Sequence, residues 1–439
     1  MAVKLSFERL RSIVIATAAH LPDHRTGQNT QYEMADAVLS AFAMFYMQAP
    51  SFLAYQRDEQ RTHGRTNAYN VFGIEKVPSA PQTRNLLDPL PPSQVGAVFW
   101  NIFDQLRLGH YLQAYQGGLS PWLISFDGSQ YFSSTRIHCA QCSEAVLNGQ
   151  PHYAHTVVAP VLVAPDQPEV LLLEPEFITP QDGHEKQDCE LRATERWLKR
   201  QAARFAPGSV TYLADDLYCH QPFCELIQAQ QQHFAFTCKP ESHATLYTEV
   251  ALLSKIGGVS EYTERCAVAG QIQVWRYRYV NRVPLRAEAP VLYVNWCEVT
   301  ITRAATGEQL YHNAWATDHC LSQATLHRFV QTARSHWKHE NEGHNVLKHQ
   351  GYHLEHNFGH GAHYLAQVLL LLNLLAFLMH TALALCDETY QAVRANLATR
   401  ITFFNDVRAL TRYWDFDSWQ ALLIFMQTQL ERAPNSAGP

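Results

Sequence analysis

The chain has 439 residues, 47% hydrophobic and 17% charged, which excludes a disordered, collagen-like or coiled-coil protein and leaves room for two to three domains. Its 34 Lys and Arg against 40 Asp and Glu give a net charge of −6, which argues against binding nucleic acid by bulk charge. Histidine is abundant at 23 residues, and 10 cysteines are scattered rather than clustered, a pattern of reduced thiols or a metal site rather than of a disulfide framework.

Near the start, an apolar patch from Ile13 to Ala19 follows Glu8 and lacks a small-residue cleavage site, so no secretory signal is expected. Residues 1–120 read as helical. Tyr32 to Ala49 carries apolar residues at helical spacing and stops at Pro50, and Gln94 to Tyr115 is a second amphipathic run. Pro78, Pro81, Pro89, Pro91 and Pro92 mark a turn-rich link between them. The character changes at Trp122. WLISFD is a short β run ending in an acid, followed by strand-like runs at His155–Val163 and Glu169–Ile178, a charged helix from Asp188 to Phe205, a strand VTYLADD again ending in acid, a short helix, and a strand at His233–Lys239. This order predicts a mixed α/β core over 121–241 with helices packed on a sheet. From 242 to 319, alternating runs rich in Val, Tyr, Thr and Trp (Gln271–Arg286, Val291–Arg303) predict a β-rich insertion. Ser322 to Lys348 is helical, so residues 320–385 complete the core, and 386–439 form a helical C-terminal region. Leu365–Leu385 is long enough to span a membrane, but Gln367, Asn373 and His380 interrupt it and no aromatic belt or basic flank brackets it. It is expected to be a buried core helix.

Three acids stand out. Asp127 ends the first core strand and Asp215 the fourth, so adjacent strands could bring both to one sheet edge, and a helix laid beside that edge could add Glu340. Three oxygen donors from three elements suit Mg²⁺, and a pair of such ions supports phosphoryl transfer. Within the core, Cys139-x2-Cys142 is followed by His152-x2-His155, a donor set that tetrahedral zinc takes in structural sites. Past Glu340 lies a second histidine cluster, His353, His356, His360 and His363, where Gly359 and Gly361 argue against a helix. In the insertion, Arg276 and Arg278 share one strand face and Trp275, Tyr277 and Tyr279 the other, so Arg could reach phosphates and the aromatics could stack on bases. The competing reading packs those aromatics on the core. Arg57, Arg61 and Arg65 would line one face of a single N-terminal helix, diluted by Asp58 and Glu59.

Several segments resemble a bacterial insertion-sequence transposase of the DDE type, over roughly residues 31–385. DGSQYFSS at Asp127 resembles that family's first strand. PEFITPQDGHEKQDCELRATERWL (Pro175–Leu198) is similar to a strand-to-helix segment, and LADDLYCHQPFCELI (Leu213–Ile227) to the second-aspartate segment. HWKHENEGHNVLKHQGYHLEHNFGHG (His336–Gly361) resembles the glutamate helix and its extension. The resemblance implies a ribonuclease-H-like core interrupted by a strand-rich insertion, with 1–120 as a helical DNA-binding region. It implies a catalytic triad of Asp127, Asp215 and Glu340 holding two Mg²⁺, with Asp216 and Glu342 as alternates. Lys348 matches the family's phosphate-contacting basic residue and Arg334 the arginine before the glutamate. His339 and His344 depart from the usual pattern around that glutamate. The implied partners are double-stranded DNA, as element terminal inverted repeats and as target, and a second copy of the chain. A cytoplasmic setting on bacterial DNA follows, with no membrane. The rival readings are a catalytically decayed or domesticated copy that only binds DNA, and a hydrolase using zinc. Twelve of the histidines lie between His312 and His380, so DNA contact through His-rich patches is expected to weaken as pH rises through the histidine range.

Overall fold

A computed structural model describes residues 4–27, 30–180 and 188–432. The first 120 residues form helices α1 (Phe7–Ala18), α2 (Met34–Tyr46), α3 (Phe52–Glu59), α4 (Thr62–Asn67), α5 (Ala80–Leu87) and α6 (Ser93–Leu108). The apolar patch near the start lies in α1, whose Phe7, Leu10, Val14 and Ala18 are buried. Helix α5 occupies the stretch expected to be a turn-rich link. Ser79 and Gln82 form a capping box there and Pro81 sits in the first turn, where its missing N–H leaves no intrahelical bond unmade. The arginines Arg57, Arg61 and Arg65 do not share one helix, because the chain breaks between α3 and α4.

The strands follow: β1 (Trp122–Ser125), β2 (Gly128–Ser134), β3 (Ser143–Leu147), β4 (Gln150–Val158), β5 (Val161–Ala164), β6 (Gln167–Leu172) and β7 (Glu176–Ile178). The expected single strand 155–163 is two strands in different sheets. Pro160 stands between them and cannot donate to a ladder. After α7 (Glu190–Gln201) come β8 (Val210–Ala214), α8 (Gln221–Ala229), β9 (His233–Thr237) and α9 (Ala244–Lys255). A meander of β10 (Ser260–Val268), β11 (Gln271–Pro284), β12 (Tyr293–Arg303) and β13 (Gln309–Thr317) leads to α10 (Gln323–Arg334), a π-helical turn His339–His344 and α11 (Asn345–His349). The chain finishes with α12 (Leu365–Cys386), α13 (Glu388–Ala395), α14 (Arg400–Tyr413) and α15 (Trp419–Arg432).

One nine-stranded sheet has the order β10-β11-β12-β13-β9-β8-β1-β5-β6. Strands β1, β8 and β9 run parallel, and the remaining pairs are antiparallel. The meander is therefore hydrogen-bonded into the core sheet, through Trp315 opposite Thr237, rather than standing apart. Helix α9 covers one face of the meander, with Tyr247 against Trp296, and α10 the other, with His327 stacked on Trp275. A second, smaller sheet is built around β4, which pairs with β2, β3 and β7.

Helix α12 is apolar all round and buried. Two of the polar residues that argued against a membrane span have partners inside the protein: Asn373 donates to the Tyr352 carbonyl at 2.9 Å, and His380 lies 3.0 Å from the Tyr46 carbonyl and 3.1 Å from the Tyr390 hydroxyl. Around α12 the N- and C-terminal helices interlock. Arg408 of α14 donates to the carbonyls of Met47 and Gln48, and Asn67 of α4 donates to those of Thr411 and Trp414.

Candidate functional site

Parallel pairing aligns the ends of β1 and β8. Trp122 lies opposite Val210 and Ser125 opposite Leu213, and the Phe126 N–H extends the pairing to the Leu213 carbonyl at 2.9 Å. The same offset carried two residues further sets Asp127 level with Asp215. Asp215 also caps the turn after β8, accepting from the Leu217 N–H at 2.9 Å. Asp216 faces the other way. It accepts from the Lys239 N–H and lies 3.2 Å from His243 Nε2, so Asp215 is the aspartate that faces Asp127.

Behind these acids is a block of histidines. The buried Ser125 hydroxyl lies 2.7 Å from His336 Nδ1 and 3.2 Å from His339 Nδ1. His344 Nδ1 lies 3.3 Å from Asp127 Oδ2. Burial pushes the Asp127 carboxyl up, but the bond from His344 and the fields of His339, His344 and His336 outweigh it and hold it at about 2. Burial pushes His336 and His339 down, toward the neutral form, against the field of Asp127. His353 and His360 are also pushed down by burial. Within this histidine-rich region His339, His344 and His360 are buried and do not present themselves to DNA, whereas His349, His353, His356 and His363 are exposed.

A carboxylate not singled out in the sequence joins the pair. Glu190, at the start of α7, accepts from the Tyr218 hydroxyl at 2.7 Å and from the Gly128 N–H. Its carboxyl is pushed up first by burial and then by the charges of Asp127 and Asp215. Asp215 is raised likewise, by burial and then by Asp127 and Asp216 against the bond from Leu217 and the field of His336. Glycine at 128 allows this approach, since a Cβ there would clash with Glu190 Oε2. The signal was an acid in the first turn of a helix, masked by the alternating charges of Arg192, Glu195, Arg196, Lys199 and Arg200 around it. The segment resembling a strand-to-helix motif also runs through residues 181–187, which lie outside the described residues.

Glu340 is exposed on the π-helical turn. Its field reaches His336, as do those of Asp127 and Asp215, whereas the alternate Glu342 acts on Lys338 instead. Lys338 is tied down by three carbonyls, of Ala164, Pro165 and Gln167, at 2.7–2.8 Å. Among the described residues, Asp127, Asp215 and Glu340 are not one of the groups whose donor atoms all lie within 4.8 Å of one another. The structure brings the three acids around one imidazole without closing them on a point.

The cysteines do close on a point. Cys139, Cys142 and His155 are gathered as expected, but the fourth member is His360, not His152. The correction has a simple cause. His152 and His155 are both on β4, and side chains an odd number of residues apart on a strand face opposite ways. His360 comes from the irregular segment after α11, and no spacing rule links it to a residue so far away in sequence.

The expected DNA contacts separate. Arg276 is exposed, as that reading needs. Arg278 is instead paired with Glu298 at 2.8 Å and lies over the Trp296 ring. Trp275 and Tyr277 are buried against α10, so they cannot stack on bases. Arg334 lies over the rings of Tyr311 and Trp275, and Lys348 pairs with Glu355 at 3.0 Å. Comparison with known protein families and with curated proteins finds no match for this chain.

Proposed function

We propose that the chain is a DDE-type DNA transposase that cuts the ends of an insertion sequence and joins the freed 3′-hydroxyl to target DNA. The observation that carries this reading is the level placement of Asp127 and Asp215 at the ends of adjacent parallel strands, with Glu190 and Glu340 brought in by helices. The strand order β6-β5-β1-β8-β9, three antiparallel strands followed by two parallel ones, is the arrangement expected of a ribonuclease-H-like core, and it supports the same reading.

The donor set fits magnesium. It is all oxygen, and burial together with the smaller repulsion among the acids, which raise Glu190 and Asp215, is a cost that a divalent cation would relieve. Asp127, Asp215 and either Glu340 or Glu190 would hold it. When bound, Mg²⁺ makes the attacking water or hydroxyl more acidic and neutralises the leaving oxygen. The chain's own residues prepare the site. His344 keeps Asp127 ionised, Ser125 fixes the rings of His336 and His339, and the buried His339 ring excludes bulk water from one side. Exposed Arg276 is available to a phosphate, in a protein expected to work as a dimer on paired ends.

Linear DNA carrying the element ends, incubated with the chain and Mg²⁺, tests this. Asp127→Asn is expected to lower cleavage on the order of a hundredfold or more while end binding persists. Cleavage at the wild-type rate by that variant would remove Asp127 from the chemistry. The second reading, a copy that binds DNA without cutting, is favoured by the failure of the three acids to converge within 4.8 Å. End binding with no metal-dependent cleavage by the wild type would establish it.

A further inference from the structure

We infer that Cys139, Cys142, His155 and His360 form a closed tetrahedral zinc site that fastens the small sheet to the segment following the Glu340 turn. The four donor atoms lie within 4.8 Å of one another. Cys139 Sγ and Cys142 Sγ are 3.9 Å apart, each is 3.5 Å from His155 Nε2, and Cys142 Sγ is 3.6 Å from His360 Nε2. A tetrahedron with Zn–S of about 2.3 Å and Zn–N of about 2.0–2.1 Å has edges of roughly 3.4–3.8 Å. The observed separations match those edges, and an S₂N₂ set selects zinc over harder cations.

The surroundings suit a buried metal. Cys142, His155 and His360 are nearly inaccessible, and the Cys142 N–H turns back to the Cys139 carbonyl at 3.1 Å, which aims both sulfurs the same way. Tyr131 stacks on His155 and Phe132 packs on His360, so both imidazoles are oriented by aromatic neighbours. Metal binding converts both thiols to thiolates and releases their protons to solvent. Four protein donors leave no open position, so the ion is structural rather than catalytic.

The placement gives the ion a task. Cys139 and Cys142 sit between β2 and β3, and His155 is on β4, the strand that pairs with both. Strand β2 begins directly after Asp127. His360 lies between α11, which continues the Glu340 turn, and α12. One ion therefore ties the segment leaving the first aspartate to the segment leaving the glutamate. This inference stands whether or not the chain cuts DNA.

The test uses the full chain purified under reducing conditions, with metal content measured by elemental mass spectrometry and the native ion exchanged for Co²⁺. Wild type and His152→Ala are expected to hold one zinc per chain and to show the absorption of tetrahedral cobalt–thiolate coordination. His360→Ala is expected to lose zinc to a chelator on the order of tenfold or more faster. His360→Cys keeps a fourth ligand and is expected to retain the ion with stronger sulfur-to-cobalt absorption. Wild type without zinc or cobalt–thiolate absorption overturns the proposal. So does loss of the ion in His152→Ala, a Cys139–Cys142 disulfide in the reduced preparation, or a His360→Cys spectrum identical to wild type.

Discussion

Glu59 shows how burial alone sets a residue's behaviour. It lies in α3 at 7% exposure, with one carboxylate oxygen that has no partner. Burial, with a smaller contribution from Asp58, pushes its carboxyl from the usual 4.5 to about 8. Between those values the folded chain holds a proton that the unfolded chain has released. Stability contributed by the neutral form is therefore complete below about pH 4.5 and is lost as pH rises to about 8. Glu59→Gln, which imitates the protonated acid, is expected to stabilise the chain by roughly 1–3 kcal/mol at pH 8 and to do little at pH 5. Thermal unfolding of both proteins at the two pH values checks this, and an equal difference at both would show that Glu59 is ionised throughout. Sequence marked Glu59 only as a diluting charge, because nothing local tells a solvated helix face from a covered one.

Elements meet at Gly128, where the first residue of β2 passes against the first turn of α7. A methyl group there would drive Glu190 away from its bonds with Tyr218 and the Gly128 N–H. Gly128→Ala is expected to cost about 1–3 kcal/mol in denaturant unfolding through the clash. Most of that cost should vanish in a Glu190→Ala background, and a double-mutant cycle with no coupling would show that the two elements do not press on each other there. The π-helical turn His339–His344 is the other junction of interest. Its extra residue per turn interrupts the regular helix at Glu340, and such bulges recur at functional sites. Periodicity identified a helix over 322–348 but could not locate that bulge, because one inserted residue barely alters an amphipathic pattern.

For the whole molecule, the electrostatic picture is narrower than composition suggests. Burial pushes His336 and His339 toward the neutral form, Arg278 and Arg303 are paired with Glu298 and Glu308, and Lys348 is paired with Glu355. Affinity for DNA is expected to fall steeply with salt and to change less between about pH 6.5 and 8 than a composition of 23 histidines suggests, because part of them is buried. Fluorescence anisotropy titrations across both variables check this. A tenfold loss over that pH interval would mean that exposed imidazoles carry charge at the interface.

The amino-acid pattern by itself determined most of the helices, the mixed α/β character of the core, the buried character of the 365–385 run, and the acids at two strand ends. These are legible because period and chain-ending residues act over a few positions. It also marked Cys139, Cys142 and His155 through their close spacing. Only the tertiary structure decided that His360 replaces His152, that Glu190 joins Asp127 and Asp215, that Trp275 and Tyr277 face α10, and that the insertion continues the core sheet. Each of these depends on segments distant in sequence meeting across a sheet. Such meetings are set by the packing of whole elements, which no local spacing encodes.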